Sequence, residues 1–235
     1  MNRREDLTVI LESVVSSMTF PMIIEDVVVN ADLTISIQVC DLRHSEPGRV
    51  VTIGGNDYTI ISIDDTTNIM VLSAGPAITV TTFDLYGVYF FNGAPIDVEK
   101  QVIEIPNATN KTPMIFLLVP YREKVYDDVR EAKDRESDVS LFFLTQANWD
   151  QWTTNGIMEN AVRPMGRLQQ QFQDTVRADN RFNPDEQTLV LTPRIKFGVY
   201  VNNKGVQKAF QAMDLSGVQE DITLELWKPC NPINC

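Results

Sequence analysis

Residues 139–178 read VSLFFLTQANWDQWTTNGIMENAVRPMGRLQQQFQDTVRA, and this stretch decides the fold class. Its first part, 139–144, is a short apolar run with aromatic residues, which predicts a buried strand. After a polar turn at 145–154, apolar residues recur every three or four positions, at Met158, Ala161, Met165, Leu168, Phe172 and Val176. That spacing predicts one long helix with an apolar face. The polar residues expected elsewhere on this helix are Gln169, Gln170, Gln171, Asp174 and Arg177. A strand that leads into a helix packing back on the same sheet indicates an α/β or α+β sandwich.

The composition is that of an acidic chain of ordinary hydrophobicity. Its 235 residues suffice for one large domain or two small ones, and they carry a formal net charge of −12. A nucleic-acid groove needs clustered Lys and Arg, so this charge argues against DNA binding as the main function. The same negative charge would repel phosphates and so would suit the wall of a channel through which DNA slides. We expect no signal peptide, because the first six residues are not followed by an uninterrupted apolar run. The apolar runs of the chain are far shorter than the roughly 18 residues of a membrane span. Three cysteines do not suggest a disulfide framework, so a cytoplasmic, reduced protein is expected.

Ahead of residue 139 the chain changes from helical to strand periodicity. Residues 7–18 carry an apolar stripe at helical spacing, which predicts a helix that Asp6 could cap. Short strands separated by turns follow over about 30–98, with a hairpin turn at Gly54–Asp57. Such strands without intervening helices are typical of a small antiparallel barrel or sandwich.

The sequence therefore predicts an α+β protein with an insertion. A mixed or antiparallel sheet, packed by the N-terminal helix and the long central helix, would form a core domain from residues 1–29 and 99–235. A small all-β barrel or sandwich would be inserted at 30–98. The strands expected in the core sheet after the insertion are 114–119, 139–144, 189–191, 195–201 and 222–227.

The segment 121–138 is densely charged, and two interpretations of it stay open. It could be a solvated loop or mobile arm between two strands, as charge runs commonly are. It could instead grip a neighbouring subunit through its tyrosines. The two tryptophans of the 145–154 turn could likewise form a binding platform, or pack at the head of the long helix. The candidate subunit-interface residues are Tyr121, Arg122, Tyr126, Arg130, Arg135, Trp149 and Trp152.

No motif in the sequence indicates catalysis, so we expect neither an enzyme nor a cofactor. A catalytic triad would have to use the single histidine, and no nucleophile elbow, P-loop or dinucleotide-binding motif is present. Four zinc ligands could be assembled on paper from Cys40, His44, Cys230 and Cys235. Their spacing is not that of a zinc knuckle, so buried or surface thiols are favoured over a metal site. The pair Asp64–Asp65 lies in a predicted turn, where Asp is favoured by its hydrogen bonds to the backbone.

The order of elements resembles that of tailed-bacteriophage virion proteins. An N-terminal helix precedes strands with the long charged segment Arg122–Asp138. The strand Leu141–Leu144, the long helix Met158–Val176 and closing strands then follow. This order is similar to that of the tail-terminator, or tail-completion, family.

Two further regions carry a resemblance to phage proteins. The C-terminal passage from Lys196–Tyr200 through Asp214–Val218 to Leu224–Trp227 resembles small neck and tail proteins of phages. The β-unit at 30–98 departs from the short terminator pattern and is more similar to the small barrels of head-to-tail stopper and adaptor proteins.

This resemblance implies a structural virion protein: a ring-forming tail-terminator or connector subunit that joins head and tail. The expected partners are further copies of the chain and other neck or tail proteins, with DNA passing through without sequence-specific binding and with no membrane. Such a protein would be assembled in the host cytoplasm and would end in the neck or tail of the virion.

The alternative is a non-catalytic binding or adaptor module. In that case the β-unit would recognise a protein or glycan partner through Tyr58, Tyr86 and Tyr89. This hypothesis predicts a monomer or dimer with a compact aromatic patch on its surface.

Overall fold

The computed structural model describes residues 6–104, 112–126, 133–183, 189–202, 205–208 and 213–227. In chain order the elements of the first half are α1 (Leu7–Ser17), β1 (Pro21–Val29), β2 (Ile35–Val39), β3 (Val50–Ile53), β4 (Asn56–Asp64), β5 (Ile69–Leu72), β6 (Thr82–Asp84), β7 (Tyr89–Gly93), α2 (Pro95–Glu104) and β8 (Met114–Leu118). Those of the second half are β9 (Arg122–Val125), β10 (Lys133–Gln146), α3 (Thr154–Ile157), a π-helical segment (Met158–Val162), α4 (Arg163–Ala178), β11 (Leu189–Arg194), β12 (Val199–Asn202), β13 (Gly205–Lys208) and β14 (Leu215–Trp227).

The fold is α+β, as the sequence predicted. A small antiparallel sheet has the strand order β3-β4-β5-β2-β1-β6, and its end strands β3 and β6 lie side by side, which nearly closes it into a barrel. A larger sheet has the order β11-β14-β10-β8-β7, and β9 pairs with β10 beyond the end of β8. The larger sheet is mixed, because β7 and β8 run parallel while its other pairs are antiparallel.

The small sheet occupies a different stretch of chain from the one predicted. Strand β1, which the sequence assigned to the core domain, pairs with β2 and β6 of the small sheet. Strand β7, which the sequence assigned to the β-unit, pairs with β8 in the large sheet. The small sheet therefore spans 21–84 and not 30–98. An alternating pattern shows that a strand buries one face, but it does not show which sheet the strand joins.

One hydrophobic core joins the two sheets. A cluster of buried side chains runs from the small sheet through α1 to one face of the large sheet and α4. In it, the rings of Phe143 on β10 and Phe172 on α4 meet edge-on at 5.5 Å. A second cluster lies on the opposite face of the large sheet, where α2 and Phe197 cover Phe116 and Phe142.

The N-terminal and long helices are confirmed. Asp6 caps α1, since its Oδ1 accepts a hydrogen bond of 2.9 Å from the Thr8 backbone N–H. The long helix consists of α3, the π-helical segment and α4, which follow one another without a break. The members of the predicted apolar stripe that are buried are Ala161, Met165, Leu168, Phe172 and Val176.

A polar cluster that the periodicity did not predict lies between α4 and β14. The Gln173 amide donates to Glu220 Oε1, and Gln169 also hydrogen-bonds this carboxyl group. Gln169 was expected off the apolar face, but it is only 5% exposed because it faces Glu220. Glu220 is fully buried, and its Oε2 has no hydrogen-bond partner among the described groups. Burial raises the pKa of Glu220 to about 7, against the opposing effect of the two glutamine amides.

The charged segment 121–138 is not a loop between strands in its described part. Strand β9 pairs antiparallel with the first half of β10, where Val125 lies opposite Arg135 and Arg122 opposite Asp138. Residues 127–132 lie outside the described residues. The sequence missed this pairing because charged side chains on both strands replace the apolar alternation that usually indicates a sheet.

Three other elements differ from the prediction. Strand β14 begins at Leu215 and so is longer than the predicted 222–227. The predicted strand 195–201 does not join the large sheet. The strand found there, β12, starts at Val199 and pairs with β13 in a separate two-stranded sheet, while Phe197 packs in the second apolar cluster. Helix α2 was not predicted, since its only buried side chains, Val98 and Val102, are too few to form a recognisable stripe.

Candidate functional site

A polar cleft of about 520 Å³ lies where the small sheet meets the large one. Its walls come from the loop before β3, the residue before the cis-proline that leads into β8, the end of β10, the turn before α3 and the residues before β14. The side chains that matter for its chemistry are Glu46, Arg49, Thr112, Thr145, Trp152 and Asp214. These residues come from distant parts of the chain, so only the fold brings them together.

Backbone hydrogen bonds hold the loop before β3 in place. The Ser45 N–H donates to the Leu42 carbonyl at 2.8 Å, and the Gly48 N–H donates to the Ile60 carbonyl at 2.7 Å. Gly48 has φ +86°, a conformation that glycine adopts without steric cost. The chain therefore reverses directly after Glu46, whose side chain is buried against the end of β10.

Glu46 is the most unusual group in the cleft. It is 4% exposed, and burial raises its pKa to about 7 although the Thr145 hydroxyl and the Arg49 guanidinium favour its charged form. Apart from this interaction between Thr145 and Glu46, no hydrogen bond of ordinary geometry reaches Glu46 Oε1 or Thr145 Oγ1 from a described group. Two buried polar atoms beside the cleft thus have unused hydrogen-bonding capacity, which is uncommon in folded proteins.

Arg49 is held at the edge of the cleft by its neighbours. Its Nη1 donates to Thr112 Oγ1 at 3.3 Å, and its guanidinium lies 4.7 Å from the centre of the Tyr86 ring. The Tyr86 hydroxyl in turn donates to the His44 carbonyl at 3.1 Å. These contacts tie the small sheet to the large one and fix a positive charge beside Glu46.

The structure does not bring the sequence-proposed zinc ligands together among its described residues. His44 is fully buried, with Nε2 3.0 Å from the Tyr86 carbonyl oxygen, and burial lowers its pKa to about 4. Cys40 is exposed. Cys230 and Cys235 lie outside the described residues, and the described ranges contain no cluster of three or more His, Cys, Asp or Glu side chains arranged for a metal ion.

The two aspartates of the 64–68 turn have different roles. The Asp64 carboxylate accepts from the Thr66 backbone N–H at 2.9 Å, which confirms the predicted turn interaction. Asp65 instead pairs with Arg167 of α4, with Nη1 2.6 Å from Oδ1. Because Arg167 also donates to the Arg43 carbonyl, this contact fastens the small sheet to the long helix.

Two of the candidate interface residues make contacts within their own chain. The Tyr121 hydroxyl donates to Asp6 Oδ1 at 3.4 Å, and burial together with the nearby acidic groups raises the pKa of Tyr121 to about 12. Arg135 is 5% exposed and pairs with Glu123 at 3.3 Å. Both side chains therefore make contacts within the fold of the chain itself.

Two further candidates of the charged segment, Arg122 and Tyr126, lie on or next to β9. Arg122 is exposed on β9, and Tyr126 is half-buried with Lys124 Nζ 4.6 Å from the centre of its ring. Arg130 lies outside the described residues. Among the described members of this group, Arg122 is thus the most accessible to a neighbouring molecule.

The two tryptophans of the turn before α3 make different contacts. Trp149 is half-buried, and its indole N–H donates to Ser216 Oγ at 3.0 Å. Trp152 is also half-buried and lines the cleft beside Glu46. Both side chains pack against the main core.

The tyrosines of the alternative hypothesis do not form an exposed patch. Tyr58 is 1% exposed, and its hydroxyl donates to the Pro76 carbonyl at 2.9 Å. Tyr86 is half-buried, and its hydroxyl donates to the His44 carbonyl. Of the three, Tyr89 alone is more than one-third exposed, at 37%.

Sequence reasoning missed the cleft because its residues carry no motif. Residues 46–48 are a turn signal, and Thr145 follows an apolar strand like many other threonines. A glutamate that becomes buried cannot be told from a surface glutamate before the fold is known.

Comparisons with known proteins do not assign the chain to a family. No protein-family model, curated protein or solved structure matches it. Within the described residues, no helix is long and apolar enough to cross a membrane.

Proposed function

We propose that this chain is a structural virion protein of a tailed phage, a subunit that assembles head to tail into a ring at the neck or tail. The ring would join head and tail and let DNA pass. The observation that carries the proposal is that the large sheet has two exposed edge strands on opposite sides, β9 and β11.

Each edge strand pairs on one side only within the described part of the chain. Strand β9 pairs with β10, and all four of its residues are exposed. Strand β11 pairs with β14, and its residues Val190 and Leu191 are 56% and 47% exposed. The open side of such a strand presents backbone N–H and C=O groups that can pair with a strand from another molecule.

The strand directions allow the two edges to complement each other. Since β9, β10, β14 and β11 each run antiparallel to their neighbours, β9 of one copy could lie beside β11 of the next as a further antiparallel strand. This contact joins two different surfaces, so it is heterologous and closes into a ring when the rotation between copies divides a full turn. The charges on β9 and Pro193 on β11 disfavour pairing with unrelated strands.

The charge of the chain is consistent with a channel for DNA. A formal net charge of −12 per subunit is multiplied around a ring. A negatively charged wall repels phosphates, so DNA could slide through without being held. The order of elements, with its resemblance to tail-terminator and neck proteins, also supports this proposal.

We expect Val190→Lys to dissociate the assembled protein into monomers. A lysine on the open edge of β11 opposes pairing with a strand that already carries Arg122 and Lys124. The substitution should change the free energy of unfolding by no more than about 0.5 kcal/mol, because Val190 is 56% exposed. Light scattering over a range of protein concentrations measures the mass, and urea unfolding measures the stability.

The matched control is Val29→Lys, which places the same charge at a valine that is 61% exposed on the small sheet. It should leave the oligomer intact. A wild-type protein that stays monomeric at every concentration would contradict the proposal, and so would equal dissociation by both substitutions.

A further inference from the structure

We propose that the cleft between the two sheets binds a ligand that carries a primary ammonium or guanidinium group, and that Glu46 receives this group. The proposal concerns a site away from the open edges of β9 and β11. An experiment that contradicts ring assembly therefore does not contradict this proposal, and the reverse also holds.

The cleft has the size and shape of a ligand site. Its volume of about 520 Å³ falls within the range of roughly 300–1,000 Å³ that is usual for small-molecule pockets. Part of its lining is held by backbone hydrogen bonds, because Glu46 belongs to a loop that they connect to its surroundings and Thr145 belongs to the central strand β10. On the other side, the Ala147 N–H donates to the Asp214 carbonyl at 2.8 Å and holds the end of β10 against the segment before β14.

Unused acceptors determine which chemistry the cleft can bind. Glu46 is 4% exposed and Thr145 is 1% exposed. The Thr145 hydroxyl favours the charged form of Glu46, but no hydrogen bond of ordinary geometry from a further described group reaches Glu46 Oε1 or Thr145 Oγ1. An ionised carboxylate can only accept hydrogen bonds, so its missing partner must be a donor. A cationic N–H group is the donor that compensates best for the burial of a carboxylate.

The other charged groups of the cleft fit a cation better than an anion. Asp214 adds a second carboxylate to the lining, so two carboxylates outnumber the one guanidinium, that of Arg49, which Tyr86 and Thr112 hold in place. The half-buried Trp152 provides an aromatic wall against which a cation can lie. The formal net charge of −12 raises the concentration of cations near the surface.

Binding is tested by calorimetry on the full chain in an amine-free phosphate buffer at about pH 8, where the Glu46 carboxyl is largely ionised. The probes are agmatine, butylamine and the blocked tripeptide acetyl-Gly-Arg-Gly-amide. Butanol and succinate serve as neutral and anionic controls. We expect saturable binding of at least one cation and none of butanol or succinate. Tighter binding of the free amines would indicate a small-molecule ligand, and tighter binding of the tripeptide would indicate an arginine or lysine side chain of a protein.

Glu46→Gln should weaken binding of the cation by at least about tenfold, because it removes a charge-assisted hydrogen bond. The variant is expected to fold, since a neutral amide of the same shape replaces a buried carboxyl group. Asp150→Asn is the matched control: it removes one negative charge from an exposed residue near the cleft, and should change affinity less than about twofold. Gln146→Trp, at an exposed lining position, should block binding sterically without touching Glu46.

Three results would overturn the assignment. They are the absence of saturable binding of every cation to the wild-type protein, equal affinity in the wild type and Glu46→Gln, and binding of succinate in preference to agmatine. None of these results depends on the oligomeric state, so a monomeric protein that binds agmatine would reject the ring and retain the site.

Discussion

Gly217→Ala is expected to lower the free energy of unfolding by at least about 4 kcal/mol, a large part of the roughly 5–15 kcal/mol of a typical domain. Gly217 lies in β14 directly opposite Leu144 of β10. A methyl group added there would lie well inside contact distance of the Phe143 carbonyl oxygen. That oxygen belongs to the backbone of a central strand, which is paired on both sides, so it cannot move without breaking the sheet.

The measurement is urea unfolding followed by circular dichroism. Gly166→Ala is the matched control, because a Cβ at Gly166 meets no atom within 4 Å and the residue lies inside α4. This second substitution should stabilise the protein by about 0.5–1 kcal/mol, since alanine favours the helix over glycine. Equal effects of the two substitutions would show that the contact with Phe143 does not limit residue 217.

Glu220→Gln is expected to stabilise the protein at about pH 8 by up to about 3 kcal/mol and to flatten its dependence on pH. The pKa of Glu220 is raised from 4.5 to about 7 by burial, so folding takes up a proton between these values. The stability from this group is therefore fully present below about pH 4.5 and is lost as the pH rises through 7. A glutamine stays neutral, and its amide can donate toward Gln173 Oε1, which has no partner among the described groups.

The measurement is the free energy of urea unfolding at several pH values from about 4.5 to 8. Glu46, whose pKa is also raised to about 7, changes the free energy of unfolding with pH in the same direction as Glu220. His44 acts in the opposite direction: because its pKa is lowered from 6.5 to about 4, the stability that it contributes is lost as the pH falls below 6.5. The substitution at 220 should therefore remove only the loss of unfolding free energy that Glu220 causes as the pH rises from 4.5 through 7. Glu12→Gln on the exposed face of α1 is the control and should leave the curve unchanged. A variant at 220 that is less stable than the wild type at pH 8 would show that the buried charge is favourable.

Much of the fold could be predicted from local patterns. The stripe from Ala161 to Val176 and the cap at Asp6 predicted the two helices on the main core, because each depends on neighbours within a few residues. The turn at Gly54–Asp57 was also correct, since Gly54 and Gly55 have φ +59° and +82°. These features depend on the periodicity and conformational preferences of the chain itself.

The pairing of strands could not be predicted in the same way. Strand β1 joins the small sheet and β7 the large one, although both have patterns that suit either sheet. Two ion pairs join the charged strands β9 and β10, one between Lys124 and Glu136 and one between Arg135 and Glu123. Such pairings depend on residues that are far apart in sequence and become close in space.

The sequence by itself determined an acidic α+β chain, its principal helices and the position of its charged segment, because composition and periodicity are properties of the chain alone. The tertiary structure alone decided that Glu46 and Thr145, which are 99 residues apart in the sequence, lie at one cleft, and that Glu220 meets Gln169 and Gln173 in the core. The open edges β9 and β11 were likewise decided by strand order. Burial and pairing arise only when distant segments pack, so the groups with raised pKa values and unused hydrogen bonds have no signature in the sequence.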